Sequence, residues 1–360
     1  MSRALRVLAL APYPERIAST RFRVSRYIEP LARIGLDVRV VSWLDDAGTA
    51  AMYRPGAFRH AVSAGVRGAL QQLRALRSSW DVVWVQREAM LAGPPVLEAL
   101  ARLRALPLVL DYDDAIWIAQ GSTLKRAAKF AWKFDWVLRR ATHAIAGSSL
   151  LANHARALGV PATVVPTVVE RALWTPRSAH APGPLTLGWI GTHSTAPQLD
   201  LIAPALRRLR AEGHAFRLVV VGAGPDFRLD GVEIERREWS LATEIDDFRN
   251  VDIGLAPMHV SPWHEGKCGF KQVQYMAVGV PCVSSLVGGA RDFVVHDQNA
   301  LVATTTDDWH TQISRLMRDR DLRARLSRDG RALVERQMCI EVQTPRIADV
   351  LRAAARQPTP

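Results

Sequence analysis

Two lysines four residues apart, Lys267 and Lys271, stand in the segment Pro262-Trp-His-Glu-Gly-Lys-Cys-Gly-Phe-Lys-Gln-Val-Gln-Tyr-Met-Ala-Val-Gly-Val-Pro281. On a helix beginning near Lys267 they share a face with Gln274, while Phe270, Val273 and Ala277 share another suited to burial. Cations in a first helical turn sit against the positive end of the helix dipole, at a cost of a few tenths to ~1 kcal/mol each. A bound anion reverses that sign, because a helix N-terminus flanked by ammonium groups is a phosphate site. The plain alternative is a pair of solvated surface lysines.

Three carboxylates crowd Asp111-Tyr-Asp-Asp114 at the end of a short apolar run. Asp111, Asp113 and Asp114 repel one another, so at least one should carry a raised pKa or a bound partner. Oxygen ligands for a divalent metal, acceptors for ligand hydroxyls, and aspartates that only fix a loop all remain open. Thr192, Ser194 and Thr195, in Gly191-Thr-His-Ser-Thr-Ala-Pro197, offer hydroxyls at a helix start that either meet a phosphate or merely cap the helix. Trp239, ahead of another helix, either stacks on a flat ligand or joins the core.

The elements that must hold these residues alternate. Strands are expected at Arg6–Ala11, Val38–Ser42, Val82–Gln86, Leu108–Asp111, Ala144–Ala146 and Thr163–Val165, with helices at Thr20–Ile34, Val62–Ser78, Leu124–Arg140 and Ser149–Leu158 between them. Short continuous apolar runs suit strands buried on both faces, and the alternation implies right-handed crossovers in a doubly wound parallel sheet. Residues 171–184, holding Pro176, Pro182, Gly183 and Pro184, break the rhythm and suggest a linker. The pattern then restarts with strands Leu185–Ile190, Arg217–Val221, Ile253–Pro257 and Cys282–Ser284, and a turn at Gly222–Gly224. Helices are expected at Leu199–Glu212, Ala242–Asn250, Gly269–Val278, Trp309–Arg318, Leu322–Met338 and Pro345–Arg356. This reads as an α/β protein with domains at 1–170 and 185–340, and a last helix, 341–360, returning to the first. Ligands of such sheets bind beyond the carboxyl ends of strands, which places the expected site in a cleft between two facing domains.

Bulk properties narrow the partners. At 360 residues, two domains are the natural expectation. The excess of 47 Lys+Arg over 35 Asp+Glu gives +12 and suits an anionic partner: a nucleotide, an anionic membrane or a nucleic acid. No zinc-finger spacing or RNA-binding aromatic signature supports nucleic acid. No apolar run reaches the roughly 18 residues of a membrane span, and Val7–Ala11 reads as a buried strand rather than a signal peptide. Cys268, Cys282 and Cys339 lack metal spacing, so reduced thiols in the cytoplasm are expected. Residues 124–140 interleave Lys and Arg with Phe130, Trp132, Phe134 and Trp136, which suits peripheral contact with anionic lipid as well as a packed helix with a solvated basic face.

The segment 262–281 resembles the donor-binding helix of the retaining glycosyltransferase family 4, the group 1 glycosyl transferases, in the subgroup reading Gly-Lys-x-x-x-Lys before Tyr-Met-Ala-x-Gly-x-Pro. Val283-Ser-Ser-Leu-Val-Gly-Gly289, Asn299-Ala-Leu-Val302, Asp307-Asp-Trp309 and Gly330-Arg-Ala-Leu-Val-Glu335 continue the resemblance, and Val219-Val-Val-Gly-Ala-Gly224 and Asp252-Ile-Gly-Leu-Ala-Pro257 precede it. It covers most of 185–340. The first half is similar more loosely, through Ser19-Thr-Arg-Phe-Arg23 and Gln86-Arg-Glu88.

The resemblance implies a GT-B fold, two Rossmann-like domains across a cleft, and transfer of a sugar with retention from a nucleotide-diphosphate sugar to a glycan or lipid-linked acceptor. No metal or cofactor is implied; Lys267 and Lys271 would neutralise the diphosphate, and the aspartates would hold sugar hydroxyls. Gly191, Thr192, Ser194, Thr195, Gly222, Trp239, Glu265, Gln274, Gly288 and Gly289 would form the donor site, with the amides of Gly288 and Gly289 open to the diphosphate. Arg21, Arg23 and Arg87 would face the cleft for a phosphate or the acceptor. The chain departs from the pattern in carrying Gln274 where relatives have a ribose-binding glutamate, in lacking the Arg and Lys usual after the first donor-domain strand, and in carrying aspartates where many relatives have a histidine. These departures leave a non-catalytic nucleotide-sugar-binding or partner-stabilising protein as an alternative, beside a nucleotide-sugar epimerase. A dinucleotide dehydrogenase is disfavoured, since Ala11-Pro-Tyr-Pro14 lacks G-x-G-x-x-G.

Overall fold

The structure is a computed structural model, described here for residues 3–52, 54, 56–118, 132–177 and 183–357. It divides into two compact units, residues 1–167 with 340–360, and residues 168–339.

The first unit is built on a six-stranded sheet in the order β2-β1-β3-β4-β5-β6. Its strands are β1 (Leu5–Ala11), β2 (Leu36–Ser42), β3 (Val82–Gln86), β4 (Leu108–Tyr112), β5 (His143–Ala146) and β6 (Ala162–Val164), all paired in parallel. β1, β3 and β4 are buried almost throughout, so both sheet faces are covered, as continuous apolar runs require. The helix Ile340–Arg356 packs against β3, β4 and β5 through a face that includes Ile347 and Leu351.

The second unit repeats the plan with order β12-β11-β10-β7-β8-β9. Here β7 is Leu185–Ile190, β8 Phe216–Val221, β9 Glu235–Arg237, β10 Ile253–Ala256, β11 Cys282–Ser284 and β12 Leu301–Val302. Leu187, Trp189, Leu218, Ile253 and Leu255 from its strands meet Leu199, Leu206, Trp309 and Ile313 in one core. In each sheet the strand order reverses once, between β1 and β3 and between β7 and β10. Beyond such reversals the loops diverge and leave space for a ligand.

Several expectations change. The helix expected over Thr20–Ile34 is broken into Ala18–Arg23, a 3-10 turn Ser25–Tyr27, and Ile28–Arg33. Pro30 lacks the N–H that a continuous helix would need there. The stretch expected as a linker is packed onto the second unit as far as Arg177. Trp174 is buried edge-on against Phe248, and Arg177 bonds Asp252 at 3.1 Å. Residues 124–131 lie outside the described residues; 133–138 are helical, with Lys133 buried against Glu88 at 3.4 Å and Phe134 packed on Tyr112. Lys133, Phe134, Val137 and Leu138 thus belong to the core, while Trp132, Arg139 and Arg140 are exposed. The short strands β9 and β12, and the helices Asp46–Met52 and Val96–Leu103, carry too few periodic residues to have been expected.

Candidate functional site

In the second unit, β7 and β8 bring two glycines into contact at their carboxyl ends. A Cβ on Gly222 would lie 2.2 Å from the Gly191 carbonyl oxygen, and one on Gly191 would strike the Trp189 ring at 2.5 Å. Trp239, 37% exposed, lies beside Gly222: its Cβ is 3.3 Å from the point that a Cβ on Gly222 would occupy. It is therefore at the strand ends rather than inside the core. After Gly191 the chain turns through hydroxyls that bond one another: Thr192 Oγ1 lies 2.9 Å from Ser194 Oγ, and the Thr192 amide donates to Thr195 Oγ1 at 3.1 Å. Thr195 does not cap the following 3-10 helix, so its hydroxyl serves the turn. These groups are exposed.

The second wall is the helix Phe270–Ala277. Its start corrects one expectation: Lys267 precedes the helix, which Gly269 opens in the left-handed region at φ 71°. Lys267 and Lys271 therefore do not share a helical face. Lys267 lies over the Trp263 ring at 4.8 Å, and Lys271 over Trp189 at 4.0 Å. Lys271 is half-buried in the first turn, and desolvation pulls its pKa from the usual lysine value down to about 7. Gln274, one turn on from Lys271, is buried, and Tyr275 anchors the helix by donating its hydroxyl to Gly188 O at 2.7 Å.

The loop 287–293 closes this region from β11. Gly288 sits at φ 60°, and a Cβ there would lie 2.4 Å from Lys267 O. Its amide donates to Glu265 Oε2 at 3.0 Å, and the Gly289 amide donates to Lys267 O at 2.6 Å. Both amides are thus engaged by the protein's own carbonyl and carboxylate, against the expectation that they stand open to a diphosphate. Glu265 is held as well by Arg291, 2.9 Å away, whose hydrogen bond keeps the carboxyl below the usual glutamate range. Its work in the structure is to pin the glycine loop against the Lys267 segment. Gln198 ties that segment to the first loop, accepting from the His259 amide at 2.6 Å and lying 3.1 Å from His264 Nε2. Gly288→Ala should therefore shift Lys267 and the loop together. We expect melting to fall by a few degrees, read by calorimetry.

In the first unit, the polar cluster lies beyond β3 and β4. Arg23 is buried, donates Nε to Asp111 Oδ1 at 2.8 Å, and donates Nη1 to Val165 O at 2.7 Å. Arg21 is buried as well, against the Phe22 ring and the Arg16 carbonyl. Both close the short helix Ala18–Arg23 at its carboxyl end. Arg23 is an internal counter-charge to Asp111, and neither buried guanidinium is exposed for a phosphate or an acceptor as expected. Arg87, at φ 61°, contacts Asp114 at 2.7 Å and Asp113 at 3.5 Å, all three side chains being partly exposed. A non-glycine residue in that backbone region carries strain of roughly 1 kcal/mol or more, which here aims the guanidinium at both carboxylates. The carboxylate repulsion is thus met by two arginines, and burial also pushes Asp111 up to about 6. The side-chain amide of Gln86, opposite Asp111 in the sheet, and Asp111 Oδ2 are buried with no hydrogen-bond partner among the described residues. Among those residues no group of three His, Cys, Asp or Glu side chains is arranged to hold a metal.

The residues expected at the donor site lie within the second unit, and of those expected on the acceptor side the first unit pairs Arg23 with Asp111 and Arg87 with Asp113 and Asp114. Sequence reasoning missed Trp189, Gln198 and Arg291. Trp189 looks like an ordinary apolar strand residue, and only its spacing two residues before Gly191 marks it as a possible neighbour of the site.

Comparison with known proteins matches residues 184–319 to the family described as glycosyl transferases group 1, and residues 20–169 to the glycosyl transferase 4-like domain. A glycogen synthase of Rhodopirellula baltica is 32% identical over 114 residues, spanning 30% of this chain and 22% of that protein. Among solved structures, a glycosyltransferase from Rickettsia africae superposes with TM-score 0.72 at 11% identity, covering 99% of this chain and 100% of that one. Anabaena HepE, in complex with UDP and glucose, superposes with TM-score 0.66 at 14% identity, covering 98% and 100%. At such identity the likeness is one of fold.

Proposed function

Since the chain belongs to the group 1 glycosyl transferases and has the GT-B fold, we propose that it transfers a sugar, with retention, from a nucleotide-diphosphate sugar to a hydroxyl acceptor. The observation that carries this reading is Lys271: an ammonium half-buried against Trp189, beside the Gly191–Gly222 contact at the ends of β7 and β8. A cation stripped of part of its hydration costs stability, and an anionic ligand offsets that cost.

As the bond from the sugar's anomeric carbon to the diphosphate oxygen breaks, negative charge collects on the leaving phosphate. Lys271, with Lys267 near the glycine loop, meets that charge in a desolvated setting where it counts most. The acceptor oxygen attacks the same face of the cationic sugar, and its proton passes to the departing phosphate oxygen. Lysines supply the counter-charge here, so chelation by EDTA should leave the rate unchanged. Trp239 offers a face for the base, and the exposed hydroxyls of Thr192, Ser194 and Thr195 offer donors to the phosphates. Arg87 with Asp113 and Asp114 orients the acceptor. Synthesis of a surface polysaccharide or glycolipid is the proposed setting. The Anabaena structure holds UDP, which makes uridine donors the first to test.

The test is the pH dependence of donor affinity. With its pKa near 7 in the free protein, Lys271 is largely neutral at pH 8 and must take up a proton to pair with a diphosphate. Affinity for a nucleotide sugar, which does not itself titrate there, should weaken by up to about tenfold per unit between pH 7 and 9. Lys271→Arg should flatten the profile, since arginine stays charged. A flat profile in the unaltered protein would remove Lys271 from the donor site. Free nucleoside diphosphate appearing together with a glycosylated acceptor separates transfer from epimerisation and from mere binding.

A further inference from the structure

The helix Phe58–Leu76 turns the wrong residues outward for a soluble surface. Over its first three turns the inward face is made of small residues, Ala64, Gly65 and Gly68, which let it lie close against Trp43, and Gln72, Ala75 and Leu76 continue that buried face. A Cβ on Gly68 would come 1.6 Å from the Trp43 carbonyl oxygen. Its large apolar residues lie outside: Phe58 is 77% exposed, Val62 47%, Val66 56% and Leu70 48%. Their spacing of four makes one slanted ridge along the helix. Beside the ridge runs an apolar groove of about 520 Å³, lined by Trp43, Met52, Phe58, Val62, Val66 and Met90. Contiguous exposed apolar surface of this kind marks a binding face.

The charge beside the ridge selects the partner. Residues 58–76 contain Arg59, His60, Arg67 and Arg74 and no acidic residue. Arg67 has Asp45 at 3.6 Å, an exposed pair that contributes little to stability. An amphipathic helix with a bulky apolar ridge and an arginine border fits the boundary between headgroups and acyl chains of an anionic bilayer. The helix is also tied to the strand ends. Gln72 is buried and donates its amide to Val41 O and Ala89 O at 3.1 Å and to Ala11 O at 3.3 Å.

We propose that the Phe58–Leu76 face docks on an anionic lipid surface, the ridge entering the acyl boundary and the groove accommodating part of an acyl chain. It does not rest on the donor chemistry. An acceptor carried on a lipid would be held within reach of the β1–β3 strand ends by the same contact.

The purified chain should sediment with vesicles of phosphatidylcholine containing 30% phosphatidylglycerol, and far less with phosphatidylcholine alone (the composition is our choice of probe, on the order used for anionic surfaces). Val62→Ser/Val66→Ser should lower binding by on the order of tenfold or more, and Arg59→Gln/Arg74→Gln by on the order of 25-fold. Neither should move the melting temperature or the affinity for nucleoside diphosphates, because all four residues are exposed and none lies in the donor unit. Failure of the unaltered chain to bind anionic vesicles would overturn the proposal, as would unchanged binding by the valine variant. A dimer in light scattering that the valine substitutions dissolve would also overturn it, assigning the face to a second copy of the chain.

Discussion

Lys271→Met is expected to lower the rate of sugar transfer by about 10²–10³-fold, the usual loss when one preorganised group that meets transition-state charge is removed. The same change should make the empty protein more resistant to heat by a few degrees. The two effects share one cause. Methionine keeps the unbranched stem against the Trp189 ring and removes the desolvated charge. Desolvation has lowered this lysine's pKa from 10.5 to about 7, so between those values the unfolded chain binds more protons than the folded one. Stability therefore rises with pH across that window, and the charged form is a burden below it. The gain from methionine should accordingly be greatest near pH 6 and fade towards pH 10. Melting curves across pH, with initial rates at saturating donor, measure both. A variant that transfers at full rate, or that melts lower at every pH, would contradict the assigned role.

Arg23→Met should cost the first unit on the order of 3–5 kcal/mol, the penalty for leaving one member of a buried ion pair alone, and lower its melting by roughly 10 °C. Asp111 and Arg23 are almost fully enclosed, and two of the arginine's bonds, to Asp111 Oδ1 and Val165 O, are under 3 Å. The penalty should shrink as pH falls. Burial has raised the Asp111 carboxyl to about 6 from an ordinary value of 3.8, so the folded state binds more protons in that interval and gains relative stability as pH drops through it. Once protonated, the carboxyl no longer needs the guanidinium. Arg23→Met/Asp111→Leu should recover most of the loss at pH 7.5, because apolar groups of similar volume replace buried pairs at little cost. If the single variant melts like the parent at pH 7.5, the pair does not hold the unit together.

Both sheets are legible in the sequence because β3, β4 and β8 carry short continuous apolar runs, Val82–Val85, Leu108–Leu110 and Leu218–Val221, suited to a doubly covered parallel sheet. The donor region is legible through order along the chain: a turn, a lysine-bearing helix and a glycine pair, each following a strand. What cannot be read is partnership. Arg21 and Arg23 look identical to solvent-facing arginines in a sequence, and only the packing of the short helix beside β4 turns Arg23 onto Asp111. The glycine pair suggests open amides, whereas the close approach of residues 264–267 needs Gly288 for its missing side chain and occupies its N–H. Lys267 reads as helical because Cys268 and Gly269 do not obviously forbid it. A left-handed Gly269 starts that helix three residues later. The outward apolar ridge of Phe58–Leu76 is invisible for a related reason: Gly65 and Gly68, which carry no apolar signal, take much of the buried side.

The first unit is not continuous along the chain. Its sheet is complete by Val164, yet the helix that covers β3, β4 and β5 is Ile340–Arg356, and the entire second unit lies between them. During synthesis the amino-terminal sheet must therefore wait, with an apolar face bare, until residues far downstream have left the ribosome. The later unit can finish folding first, reversing the order in which the two are made.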